Sequence, residues 1–181
     1  MSITENLLCS DDPPRHIMIG YDSYEDFYDL SCKFINEGLK RNQICVYAAL
    51  KDIDDEKKKL SEKIKDFDEN VGKGNLLIID LKEFYIHVLQ NNFEKFHNLL
   101  DILSEKTKDR TDKRVRLCGF LTGFFYEKKH FDECIALEDW WENNNFEGTV
   151  LCPYPKSSME IDTFDNSLEK VMSLHNNVII L

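Results

Sequence analysis

Residues 16–50 read HIMIGY, DSYEDFYDLSCKFINEGLKRNQ and ICVYAAL in succession. The apolar run Ile17 to Tyr21 has the composition of a buried strand. Asp22 and Ser23 carry N-cap chemistry, and Asp22 to Glu25 has capping-box spacing. Tyr24, Phe27, Tyr28, Ser31, Phe34, Ile35 and Gly38 recur at helical spacing, and Gly38 reads as the helix stop. Ile44 to Leu50 is a second buried run. Strand, helix and strand in that order predict a βαβ unit with a parallel pair.

The turn after the first strand is Tyr21-Asp22-Ser23-Tyr24-Glu25-Asp26. A phosphate-binding turn at this place needs glycines, free backbone N–H groups and a lysine. This one has no glycine, no lysine and three carboxylates. Each acid would repel a phosphate by about 1 kcal/mol near the surface. The unit therefore has the layout of a nucleotide-binding opening without its phosphate chemistry. That points to a non-hydrolysing binding or sensing module.

Outward from this unit, apolar runs and helical stripes alternate. NLLIIDL (75–81) is a third strand, RVRLCGFL (114–121) a fourth, GTVLCPY (148–154) a fifth and Val178 to Leu181 a sixth. The fourth is expected to run on into Thr122-Gly123-Phe124. Helices are expected over 53–68, 82–89, 93–108 and 131–144. A further helix is expected from a capping box at Ser157 and Glu160 onward through Ile161, Phe164, Leu168, Val171, Met172 and His175. Val71-Gly72-Lys73-Gly74 precedes a strand instead of following one and reads as a turn, and Asp80 reads as a helix cap. The fold class is α/β, a three-layer, mainly parallel six-stranded sheet with helices on both faces. Residues 1–14 read as a loose N-terminal arm and 15–181 as one domain.

The chain has 181 residues, 42% hydrophobic and 12% aromatic, with a formal net charge of −11. This acidity excludes a nucleic-acid surface and disfavours anionic membranes. No apolar run reaches membrane-spanning length and the N-terminus carries no signal peptide, so a cytoplasmic protein is expected. Six cysteines, Cys9, Cys32, Cys45, Cys118, Cys134 and Cys152, include no CxxC pair and read as reduced, buried thiols. Cys118 and Cys152 fall on strands that would be neighbours, where a redox pair is the alternative to inert thiols.

Open parallel sheets collect ligands beyond the C-terminal ends of their strands. That edge offers Tyr21, Asp22, Ser23, Tyr24, Thr122, Phe124 and Tyr154, an aromatic rim suited to a small, uncharged or weakly cationic ligand. The alternative is that these tyrosines are half-buried core edges. His16 and His175 each precede a strand at the opposite edge. Adjacent first and last strands would bring them together. Two ligands fall short of a tetrahedral metal site and no third is apparent, so they read as hydrogen-bonding strand ends, with a metal pair as the alternative. His130 reads as a helix cap, and His87 and His97 as surface residues. Of Trp140 and Trp141, one is expected in the core and one partly exposed, with Glu138, Asp139 and Glu142 as an acidic rim. No catalytic motif and no cofactor signature is present in the sequence.

The later segments resemble the MEDS family, a sensory domain of methanogen and methylotroph regulators that include a dichloromethane-responsive repressor. The resemblance lies in His16 at the opening of the first strand, INEGLKRNQICVYAA (35–49), IIDLKEFY (78–85) and NNFEKF (91–96). It continues through RVRLCGF (114–120), the helix with Leu137-Glu138, LCPY (151–154) and LEKVMSLHNNVII (168–180). Asn91-Asn92 stands where the family usually has a glycine turn. The resemblance implies a degenerate RecA/KaiC-like domain without a functional P-loop. It also implies a sensory role, directed at small carbon compounds and coupled to signalling or transcription. No helix-turn-helix or kinase module is seen, so output would pass to a separate protein, and homo-oligomerisation stays open. A nucleotide-binding module that has lost hydrolysis, and an enzyme using thiol or histidine chemistry, are the competing readings.

Overall fold

The computed structural model describes residues 15–144, 146–160 and 166–180. Six strands form one all-parallel sheet: β1 (Arg15–Tyr21), β2 (Ile44–Ala49), β3 (Leu76–Asp80), β4 (Val115–Gly119), β5 (Gly148–Pro155) and β6 (Asn177–Ile180). Their order is β3-β2-β4-β5-β1-β6. The first and last strands are therefore neighbours, and β5 lies on the other side of β1.

Helices α1 (Tyr24–Lys40) and α2 (Ile53–Lys63) cover one face. The short α3 (Phe67–Gly72) leads into β3. The other face carries α4 (Lys82–Leu89), α5 (Glu94–Thr107), α6 (Leu121–Glu127), α7 (Phe131–Asn143) and α9 (Ser167–Ser173), with the single turn α8 (Lys156–Met159) after β5. Burial on both faces explains why the strands are unbroken apolar runs.

Several expectations are corrected in detail. Ser23, not Asp22, is the N-cap of α1, and its capping-box partner is Asp26. Gly38 does not stop the helix. It lies inside α1, where a Cβ would meet Cys45 Sγ at 2.5 Å and Arg116 Cδ at 2.6 Å. Small size, not helix termination, is what that position requires. The expected continuation of β4 is instead helix α6. LTGFFYE is apolar nearly all round, so it has no stripe to distinguish helix from strand. Gly123 lets α6 close onto β5, since a Cβ there would stand 2.0 Å from the Pro153 carbonyl oxygen. The helix expected from Ser157 begins at Lys156 as a single turn without that capping box. Ile161 and Phe164 lie outside the described residues, as do the arm (1–14) and Cys9.

Among the described residues no helix is long and apolar enough to cross a membrane.

Candidate functional site

The strand-end rim divides on folding. Tyr21, Asp22, Ser23 and Tyr24 stay at the lip between β1 and α1. There Tyr24 stacks on Phe120 at 5.4 Å, and Lys51 Nζ lies 3.5 Å above the Tyr24 ring. Lys156 pairs with Asp22 at 2.6 Å. The Ser23 hydroxyl accepts from the Asp26 N–H, and the Asp26 carboxylate accepts from the Ser23 N–H at 3.1 Å. Two of the N-terminal donors that would cradle a phosphate are thus already engaged. Phe124 sits half-buried against Tyr85. Thr122 and Tyr154 turn inward and are buried.

Their inward neighbours form a polar centre beneath α7. His16 is the second residue of β1 and shares its face of the sheet with Val150, its register partner on β5. Side chains alternate along a strand, so Cys152 and Tyr154 share that face with Val150. Cys118, opposite Leu151, points the other way, toward Ser31 of α1 at 3.3 Å. Neighbouring strands therefore do not make Cys118 and Cys152 a redox pair. α7 lays Cys134, Leu137, Glu138 and Trp141 onto the sheet. Glu138 is wholly buried, a correction to its expected place on an acidic rim; Asp139 and Glu142 do face solvent. Both tryptophans are buried as well, because Phe93, Phe96 and Phe146 pack around them.

Glu138 gathers the centre. Its Oε2 lies 2.8 Å from His16 Nε2, and its Oε1 lies 3.3 Å from His175 Nε2. Oε1 also accepts a hydrogen bond from the Tyr154 hydroxyl. Cys152 Sγ is 3.4 Å from His16 Nε2 and 3.6 Å from Glu138 Oε2. The two imidazole rings lie 4.0 Å apart between centroids. Both rings are oriented by backbone. His16 Nδ1 is 3.0 Å from the Leu174 carbonyl oxygen, and His175 Nδ1 is 2.8 Å from that of Val171. A carbonyl only accepts, so each Nδ1 carries a proton and each Nε2 is aimed at Glu138.

Burial alone would raise the Glu138 carboxyl. The His175 charge, with the hydrogen bond from His16, outweighs it and holds the group below the usual carboxylate range. Burial would lower His175, but the Glu138 charge raises it. His175 Nε2 is close enough to Glu138 for an ion pair yet makes no hydrogen bond. Burial, reinforced by the Glu138 charge, pushes the Cys152 thiol well up, and Tyr154 is pushed the same way. The tyrosine stays a neutral donor. Removing a charge from water costs several kcal/mol even after relaxation, so such a centre is not a source of stability by default.

A mostly apolar cavity of about 20 Å³ adjoins Cys152 and Thr122, between the sheet and α4–α7. That is room for one water-sized molecule. The Thr122 hydroxyl beside it has no hydrogen bond of good geometry.

The histidine pair was legible from strand adjacency. Glu138 and Cys152 were missed. Glu138 is four residues after Cys134 and three before Trp141, and that phase was the available signal for its inward position.

A family model described as "MEDS: MEthanogen/methylotroph, DcmR Sensory domain" matches residues 15–176, a span that contains the whole centre. No curated protein matches the chain.

Proposed function

The chain belongs to the MEDS family of sensory domains, and on that premise we propose that it is a non-catalytic sensor. It takes a small, uncharged molecule into the apolar space beside Thr122 and Cys152, and it passes the change to a separate signalling or regulatory protein. The observation that carries this reading is the burial of the centre: the Glu138 and His175 side chains have no solvent exposure at all. A substrate that had to enter and leave at every turnover would find no path to them in this conformation. A signal molecule needs to enter once, and entry requires α6 or α7 to lift from the sheet. That displacement is the output a partner would read.

The lip of Tyr21, Asp22, Ser23 and Tyr24 supports the same reading by what it disfavours. Its acids and its self-satisfied cap oppose a nucleotide phosphate. Thermal denaturation with methanol, dichloromethane, ATP–magnesium and ADP as probes tests the choice. A saturable rise with a neutral compound is expected, reaching about 2.7 kcal/mol at a hundredfold excess over Kd. A chain of this size gains about 2–4 °C per kcal/mol. Stabilisation by ATP that persists at high salt would replace this reading with a nucleotide-binding one.

A further inference from the structure

The four side chains of the buried centre have the composition, spacing and outer support of a metal site. The candidate ligand atoms of His16, Glu138, Cys152 and His175 all lie within 4.8 Å of one another. The separations along His175 Nε2, Glu138, His16 Nε2 and Cys152 Sγ are 3.3, 2.8 and 3.4 Å. A zinc tetrahedron has metal–nitrogen and metal–oxygen bonds of about 2.0–2.1 Å and metal–sulfur bonds of about 2.3 Å, so its edges are about 3.3–3.6 Å. Two of these edges are thus close to those of a coordination shell and the Glu138–His16 edge is contracted, the Glu138 edges running to its two different oxygens and the remaining ones lying within 4.8 Å.

Three further features point the same way. Each imidazole is held by a backbone carbonyl at Nδ1, which presents Nε2 as the ligand atom and sets its tautomer. His175 Nε2 is fully buried, faces Glu138 at 3.3 Å and makes no hydrogen bond, so the metal-free cluster leaves that atom's bonding capacity unmet. Tyr154 holds Glu138 through Oε1, which leaves Oε2 facing His16 and Cys152. Carbonyls that orient imidazoles and a hydroxyl that holds a carboxylate are the usual outer support of metal ligands.

We propose that His16 Nε2, His175 Nε2, Cys152 Sγ and a Glu138 carboxylate oxygen bind one divalent transition-metal ion of the zinc class. Two nitrogens, one sulfur and one oxygen suit that ion and not calcium or magnesium, which take oxygen ligands. The charges also close: a dication, a carboxylate and a thiolate sum to zero in a site without solvent. On binding, the Cys152 thiol and any imidazole protonated at Nε2 release their protons to solvent, and the sulfur and nitrogen lone pairs form the bonds to the metal; no redox change is involved. The proposal goes beyond the sensory reading and stands if every small-molecule titration fails.

The test uses the full chain under reducing conditions. Elemental analysis of protein produced in zinc-supplemented medium should find about one zinc per chain. After chelation, titration with cobalt(II) should give the intense visible bands of a tetrahedral ion together with thiolate-to-cobalt absorption in the near ultraviolet. Cys152→Ser should lose the thiolate absorption and weaken cobalt binding by more than the about 10–100-fold typical of losing an outer-shell partner. Cys118→Ser, on the opposite face of the sheet, should keep both. If Cys152→Ser does not fold, the thiolate absorption of the unaltered chain still decides. A folded chain that holds no zinc and stays colourless with cobalt overturns the proposal. So does a thiolate band that survives Cys152→Ser.

Discussion

Each face of the sheet buries one helical glutamate against a strand tyrosine. On the α1–α2 face, Glu56 of α2 accepts from the Tyr47 hydroxyl at 2.9 Å. On the α4–α7 face, Glu138 of α7 accepts from the Tyr154 hydroxyl. The carboxylates are 3% and 0% exposed, nearly alike. Their company differs. Around Glu56 are the phenols of Tyr47 and Tyr28, both pushed up chiefly by burial and therefore neutral, of which Tyr47 is the donor. Around Glu138 are two imidazoles and a thiol as well. The first arrangement satisfies a buried acid. The second assembles Lewis bases, which packing does not require. Burial of a carboxylate is thus not what marks a site; convergence of further ligand-bearing groups on it is.

The comparison is broken or sharpened first by truncating the two acids. Glu138→Ala leaves the buried His175 without its counter-charge and should cost about 3–5 kcal/mol in denaturant unfolding of the metal-free chain. Glu56→Ala leaves an unsatisfied phenol and should cost about 1–3 kcal/mol. Equal costs would make Glu138 ordinary packing.

The thiols on the two faces should behave alike in the absence of metal. Burial pushes Cys32 up to about 11, and Cys45 and Cys118 up to about 12. Cys152 is raised too. Native alkylation at neutral pH should be at least about a hundredfold slower than for a free thiol at all four. One fast cysteine would favour thiol chemistry and count against the non-catalytic reading.

Glycine positions probe how tightly each face is closed. At Gly123 an added methyl would meet backbone, the Pro153 carbonyl; at Gly38 it would meet side chains, Cys45 Sγ and the middle of the Arg116 stem. Gly123→Ala should cost about 3 kcal/mol and Gly38→Ala about 1 kcal/mol, side-chain adjustment and better helix propensity offsetting part of the second. The reverse order would mean that α6 is free to shift from the sheet.

Asp112 calibrates the pair from the surface. The Arg114 guanidinium holds its carboxyl down to about 2, against the opposing effect of burial and with help from Gln43. The folded value lies below the usual 3.8, so the unfolded chain takes the proton first. Its contribution is present above pH 4 and is lost as pH falls toward 2. Its side chain is 22% exposed and its partner Arg114 38%, so Asp112→Asn should remove under about 1 kcal/mol at neutral pH and flatten that part of the acid limb.

Much of the architecture was legible because it rests on local pattern. The six apolar runs became the six strands, and adjacency of the first and last brought His16 beside His175. Where the pattern was degenerate the reading slipped. Leu121–Glu127 has apolar residues on every side and gave no helical stripe. Ser23 rather than Asp22 caps α1, because both residues carry the same capping chemistry.

What the sequence by itself determined is the parallel α/β sheet, the acidic and glycine-free lip, and a pair of histidines at one sheet edge. Only the tertiary structure decided that Glu138 and Cys152 complete a centre with them. Its side chains come from β1, α7, β5 and the turn before β6. Whether they meet depends on strand parity, helix phase and the closeness of α7 to the sheet. A one-residue slip in β5 would turn Cys152 to the other face.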